Sequence, residues 1–339
     1  MQILLTGGAG YIGAHVALVL LNAGHDVIVF DNLSNGSRTA LERVERMVGR
    51  GLVFEQGDIR DTHALDDVFA RHAIDAVIHL AGLKSVAESL EQPLAYYAHN
   101  VGGIVALTQA MARAGVFTLV FSSSATVYRA SDAMPLTEQA ATGRAVNAYG
   151  STKLVAEWVL DDLCAADARW AVAVLRYFNP VGAHESGLIG EDPKGHPNNL
   201  LPYICQVAVG RRASLSVFGT DYPTHDGTGV RDYIHVMDLA DGHLAALERI
   251  STRPGSHTWN LGSGRGHSVY EIVAAFERQS GKAIPTCSAP RRAGDLARYW
   301  ADASAAARDL GWQATRDIDT IAADAWRWQS RNPEGYDGG

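Results

Sequence analysis

At 339 residues, 47% of them hydrophobic and 19% charged, the chain has the make-up of a folded protein with one large or two modest cores rather than a disordered one. A formal net charge of -8 supplies no broad field for nucleic acid, which is not an expected partner, although a local cationic pocket for a small anion is compatible with it. Cys164, Cys205 and Cys287 stand far apart, without CxxC spacing or a histidine cluster, so no disulfide framework and no metal site is expected, and a reducing compartment is.

Met1 and Gln2 lead into Ile3, Leu4 and Leu5 and, after Thr6, glycine, with no basic leader and no long apolar span, so a cytoplasmic protein without a membrane anchor is expected. Residues 3–5 read as a strand, 6–13 as a tight turn, and Val16, Leu18, Val19 and Leu20 as the buried side of a helix ending near Asn22 and Gly24. A second strand spans 27–30 and ends at Asp31, and further apolar runs at 52–54, 76–80, 119–121 and 171–177 are separated by stretches long enough for crossover helices. Near-continuous apolar strands joined this way predict a parallel sheet covered on both faces.

After Asn179 and Pro180, the glycines and prolines at 182, 187, 190, 193, 195 and 197 crowd together and predict a long irregular segment, a lid or a substrate-side loop. Beyond it, 201–209 reads as helix, 214–218 as strand, and 235–248 and 270–279 as packed helices. The tail 331–339, rich in Gly, Pro, Asn and Asp, is expected to be loosely ordered.

Two constellations carry chemistry. Gly7, Gly10 and Gly13 fall around the first strand-to-helix turn, where missing side chains let the backbone approach a pyrophosphate and meet it with free N–H groups and the positive helix end. Asp31 suits the adenosine ribose hydroxyls and repels a 2'-phosphate, favouring NAD over NADP, and Asp58 with Ile59 suits the adenine edge; both aspartates serve equally well as helix caps. Further on, Tyr149 and Lys153 lie four apart on an apparent helix and share one face, so the ammonium is expected to stabilise the phenolate. Ser124, following the strand at 119–121, puts a hydroxyl at the carboxyl edge of the sheet to relay a proton to Tyr149. The fold expected is α/β: a Rossmann-type doubly wound parallel sheet over 1–178 and a smaller C-terminal α/β substrate-binding domain over 179–339, with chain crossovers between lobes allowed.

These motifs, with Ala81-Gly82-Leu83-Lys84, the runs 122–128 and 175–183, and the run 227–238, resemble the extended short-chain dehydrogenase/reductase family in its nucleotide-sugar 4-epimerase branch, from Met1 to Tyr336. The resemblance implies reversible C4 epimerisation of UDP-galactose and UDP-glucose through a 4-keto intermediate and transient NADH, with Ser124, Tyr149 and Lys153 as the catalytic set. It implies that these three, with Gly7, Gly10, Tyr11, Ile12, Asp31, Asn32, Asn35, Asp58, Ile59, Leu80, Lys84, His99 and Phe178, hold NAD. It assigns the UDP-sugar to Lys84, Ser124, Tyr149, Asn179, Asn199, Leu200, Phe218, Arg231, Tyr233, Arg292, Asp295 and Tyr299. Arg231 and Arg292 are planar forks suited to a diphosphate, and the bulky Tyr299 ring implies a preference for these sugars over their N-acetylated versions.

The resemblance further implies a homodimer pairing helices near 94–114 and 149–165. Three positions depart from its pattern: His99 replaces a usual asparagine, Leu80 a frequent phenylalanine, and Arg129 a common glycine. Two rivals share the early residues. A nucleotide-sugar 4,6-dehydratase begins with the same oxidation but usually carries an Asp-Glu pair where this chain has Ala125-Thr126, and a silent NAD-sensing regulator would have no use for Tyr149 and Lys153.

Overall fold

The computed structural model describes residues 1–338 except Asp132, His196, Asn198, Ala293 and Gly294. In chain order, its first half runs β1 (Gln2–Thr6), α1 (Tyr11–Asn22), β2 (Asp26–Asp31), α2 (Arg38–Val48), β3 (Val53–Gln56), α3 (Thr62–Arg71) and β4 (Ala76–His79). Short helices α4 (Val86–Glu91) and α5 (Pro93–Tyr96) lead through a π-helical turn at Tyr97–Val101 into α6 (Gly102–Ala114), followed by β5 (Thr118–Ser124), α7 (Ala148–Ala166) and β6 (Ala171–Tyr177). The second half holds β7 (Asn179–Val181), α8 (Leu200–Ala208), β8 (Leu215–Phe218), β9 (Val230–His235), α9 (Val236–Ile250), β10 (Gly255–Leu261) and β11 (Gly266–Ser268). It ends with α10 (Val269–Ser280), β12 (Thr286–Ala289), β13 (Arg298–Tyr299), α11 (Ser304–Leu310) and α12 (Ile318–Arg331).

The larger sheet has seven parallel strands in the order β10-β6-β5-β4-β1-β2-β3. Its strands are apolar on both faces because successive side chains alternate: Ile3 and Leu5 enter one core with Val16 and Leu20, while Leu4 enters the other with Ile104 and Leu107. The strand order reverses at β1, which lies between β2 and β4, and a crevice opens beyond the carboxyl ends of strands at such a point.

β10 has no counterpart in the expected elements. It pairs with β6 from Gly255↔Ala171 to Leu261↔Tyr177, yet only its last three residues are buried, so its polar first half hides the strand. Helix α9, which precedes it, shares the first core with α1 through Leu239, Ala246 and Leu247. Residues 236–261 thus return to the first sheet, and a single cut after Phe178 does not separate the lobes.

The smaller lobe is built from β7 beside β9, β11 and β13 on the same sheet, the parallel pair β8 and β12, and helices α8, α10 and α12 packed through Ile204, Phe276 and Ile321. The C-terminal tail departs from the loose order expected of its composition. Tyr336 is buried, stacks at 4.7 Å on Trp328, and exchanges hydrogen bonds with the backbone of Gly190 at 3.1 Å. Burying one aromatic with its hydroxyl satisfied outweighs the entropy favouring a free end.

Candidate active site

The glycine turn is built as the spacing requires. Gly7 has φ 72, and a Cβ on it would stand 2.6 Å from the Ala81 nitrogen; a Cβ on Gly13 would stand 2.3 Å from the Gly7 oxygen. Helix α1 starts at Gly10 with no side-chain cap, which leaves its first-turn amides to an anion. A cleft of about 310 Å³ opens here, lined by Gly10, Tyr11, Asn35 and Lys84 among others. An uncapped helix start beside a cradle that any Cβ would fill fits a pyrophosphate, and therefore a dinucleotide.

Asp31, at the end of β2, accepts hydrogen bonds from the amides of Ala9 at 3.0 Å and Leu33 at 2.8 Å, stitching the glycine turn to the second strand. Burial raises its carboxyl above the ordinary range. Asn32 donates to Asp58 at 3.2 Å, and Arg60 grips Asp58 at 2.8 Å, holding that carboxyl well below its usual range. His99 sits within the field of this pair: burial lowers its imidazole, Arg60 lowers it further, and Asp58 opposes both.

Other assigned residues point elsewhere. The Ile59 side chain belongs to the core beneath Gly103, where a Cβ would meet it at 2.8 Å. Ile12 and Leu80 pack partly buried against the other core. The Tyr11 hydroxyl donates to the Gly182 carbonyl at 2.7 Å, tying α1 to the second half of the chain. Arg129 uses its backbone amide to hold Ala141 at 2.8 Å.

The irregular segment after residue 180, expected as a lid or a substrate-side loop, runs along the cleft, and its anchors were not named by sequence. Gly190, Glu191, Pro193 and Lys194 line the same cleft as the glycine turn. Glu191 accepts from Lys84 at 3.3 Å and from Asn199 at 2.9 Å, and Lys194 donates to the Leu33 carbonyl at 2.8 Å. Asn199 and Leu200, assigned to the UDP-sugar, stand at the start of α8 just beyond this strap.

Ser124, Tyr149 and Lys153 come together at the carboxyl edge of the sheet. Asn147 caps α7 through the Gly150 amide at 2.8 Å, which fixes the turn carrying Tyr149. The Ser124 oxygen accepts from the Thr126 hydroxyl at 2.9 Å and the Thr126 amide at 3.2 Å. With both acceptor sites filled, its one proton is free for the Tyr149 oxygen, to which Ser124 is hydrogen-bonded. Lys153 is buried, donates to the Ser122 carbonyl at 2.7 Å, and is pushed down to about 8 by burial, with Glu157 opposing.

The Tyr149 phenol lies in a desolvated setting. Burial raises its phenol above the ordinary value and the Ser124 hydrogen bond only moderates this, so the resting phenol keeps its proton. Desolvation of a phenolate outweighs a hydrogen bond until further positive charge arrives.

Across the site, Phe178 packs at 5.3 Å against Tyr299, whose hydroxyl donates to the Ala125 carbonyl. Arg292 lies 3.9 Å over the Phe218 ring, and Arg231 reaches Asp295 at 3.6 Å. Buried Tyr233 feels the charges of both Arg231 and Asp295, and it pairs in register with Asn179. Tyr299 pairs in register with Arg231 on β9, so the strand that carries Arg231 adjoins the residue bonded to Ala125. Among the described residues no group of three or more His, Cys, Asp or Glu is placed to hold a metal ion, and no helix is long and apolar enough to cross a membrane.

Residues 3–262 match the model of the NAD dependent epimerase/dehydratase family. The chain belongs to that family. It is 56% identical to the UDP-glucose 4-epimerase of Bacillus subtilis (strain 168) and 55% identical to that of Neisseria meningitidis serogroup C, in each case over 336 residues covering 99% of both chains. Its fold is similar to the crystal structure of UDP-glucose 4-epimerase from Bifidobacterium longum in complex with NAD+ and UDP, with a TM-score of 0.96 and 50% identity over 99% of this chain and all of that one. The family match ends at residue 262, one past β10, so it takes in the returning strand of the cofactor sheet.

Proposed function

We propose that the protein interconverts UDP-galactose and UDP-glucose by inverting C4, with NAD as resident cofactor. The reading is supported above all by the Ser124–Tyr149 hydrogen bond beside the buried Lys153, with Tyr299 bonded to the Ala125 carbonyl next to Ser124 and paired in register with Arg231. The relatives named above carry this activity in their names, and one was solved with NAD+ and UDP.

NAD, when bound, supplies a hydride-accepting ring and a positive charge. The chain's own part is to hold the sugar nucleotide and move one proton. Arg231 and Arg292 suit the diphosphate, anchoring the nucleotide while the keto-sugar turns its other face. With Lys153 and the charge the cofactor would bring favouring ionisation, the Tyr149 phenolate takes the 4-hydroxyl proton and gives it back, and Ser124 donates to the phenolate oxygen while it lasts. Thr126 orients Ser124 through its hydroxyl, in the position where a dehydratase would place a carboxylate. With Ala125 and Thr126 there, elimination of the 6-hydroxyl has no acid-base pair, which favours epimerisation over the 4,6-dehydratase reading.

Incubation with UDP-galactose and no added oxidant is expected to yield UDP-glucose. On the proposed role of the bulky Tyr299 ring, which packs on Phe178, UDP-N-acetylgalactosamine is expected to react about tenfold more slowly or worse. A 4-keto-6-deoxy product would restore the dehydratase, and equal rates would remove Tyr299 from specificity.

A homodimer is part of the proposal. Leu94, 83% exposed, and Trp158, 54% exposed, stand on α5 and α7, helices that touch each other, and give this face large apolar side chains in water. Sedimentation at micromolar concentration should show twice the chain mass; monomer alone would reject the pairing. The cytoplasm is the proposed compartment, supported by three free cysteines.

A further inference from the structure

Behind the catalytic edge lies a carboxylate for which the proposed reaction has no use. Glu157 sits one turn beyond Lys153 on α7 and is only 3% exposed. It accepts from the Arg176 guanidinium at 2.7 and 3.0 Å and from the Ser123 hydroxyl. Arg176 in turn donates to the Tyr128 hydroxyl and the Glu138 carbonyl, each at 3.2 Å. Burying an ion pair is costly unless every remaining group is satisfied, and here they are.

Each leg of this bridge adjoins a residue of the active site. Ser123 precedes Ser124 on β5, Glu157 follows Lys153 on α7, and Arg176 stands two residues before Phe178 at the end of β6. One carboxylate therefore spans the three elements whose separation decides whether hydroxyl, ammonium and cofactor-facing ring meet. We propose that Glu157 is a positioning residue, clamping β5, β6 and α7 from behind so that Ser124 and Lys153 are held in register, and serving as the counter-charge of the Lys153 ammonium. The proposal rests on the catalytic reading of Ser124, Tyr149 and Lys153.

The charge balance around Lys153 supports the second half. On its own helix it stands one turn from Tyr149 on one side and one turn from Glu157 on the other; from β4 it meets His79, a buried imidazole pushed down to about 3 and thus neutral. From β5 come the Ser122 carbonyl at 2.7 Å and the Phe121 ring at 5.1 Å, while on β6 the Tyr177 phenol is bonded to Ser122 and the Arg176 guanidinium to Glu157. Among the described residues Glu157 is the carboxylate that opposes the loss of the lysine proton. Lys153 is charged below about 8 and neutral above, so removing the opposing charge moves its deprotonation to lower pH.

The test uses the purified holoenzyme with UDP-galactose, measuring kcat and KM across the pH range together with NAD content and melting temperature. In Glu157→Gln the alkaline fall of kcat is expected to move about one pH unit lower, a roughly tenfold greater loss on the alkaline side than on the acid side, with KM within about twofold of the parent. Glu157→Asp, which keeps the charge on a shorter arm, should lose kcat severalfold with the alkaline limb unmoved. Ser123→Ala, which releases the β5 leg, should do the same.

A uniform fall in E157Q with no movement of the limb would overturn the counter-charge, and parental kcat in both E157D and S123A would overturn the clamp. If E157Q does not fold, the last two variants decide. Tyr149→Phe run in the same series separates this proposal from its premise. Activity retained in Y149F ends both, while activity lost there with an unmoved limb in E157Q ends the role of Glu157 alone.

Discussion

Tyr149→Phe is expected to lower kcat for UDP-galactose by about 10²- to 10⁴-fold, with KM changed by less than about threefold, because the change deletes only the oxygen that exchanges a proton with the substrate. The phenol is hydrogen-bonded to Ser124, and α7 is already capped by Asn147, so ring and helix stay where they are. NAD content should be parental, since the cleft that fits the pyrophosphate belongs to the β1–α1 turn. Steady-state assay beside an NAD determination checks both halves. Near-normal turnover would end the assignment of Tyr149 to proton transfer.

The second large effect belongs to Gly13→Val. A Cβ at that position would lie 2.3 Å from the Gly7 oxygen and 2.6 Å from the Gly8 Cα, both backbone atoms that no rotamer change can move aside. Helix α1 must shift away from β1, opening the cradle and disturbing the core that Val16 and Leu20 share with Ile3. The expected protein lacks NAD on purification and is less stable by about 3 kcal/mol, seen as a lower midpoint in denaturant. A variant that retains NAD in full would show that the close approach is not required.

The parts of this architecture readable from the chain alone are those in which cause and consequence lie close together in sequence. The glycine turn occupies a few consecutive residues between a strand and a helix, and Tyr149 and Lys153 are placed by helical spacing alone. The apolar strands show themselves because both of their faces are covered. What escaped notice depends on distant partners. The strap over the cleft is fixed by Lys84 and Glu191, 107 positions apart, and by Tyr336 and Gly190, 146 apart. Burial was also hidden at Tyr149: spacing puts a lysine on its face, while the desolvation that raises the phenol depends on packing from elsewhere in the chain. At Ile59 the side chain serves the core, so any part it takes in a site is left to its backbone, which a reading of residue types does not reveal.

The returning strand β10 also orders events during synthesis. When the first 178 residues have left the ribosome, six strands of the large sheet exist, but β6 presents an open flank of unpaired amides and carbonyls along Ala171–Tyr177. At about 5 to 20 residues per second, several seconds pass before Leu261 emerges to close it. Through that interval the nascent chain carries a sticky margin, and any fragment ending short of Leu261 keeps it permanently.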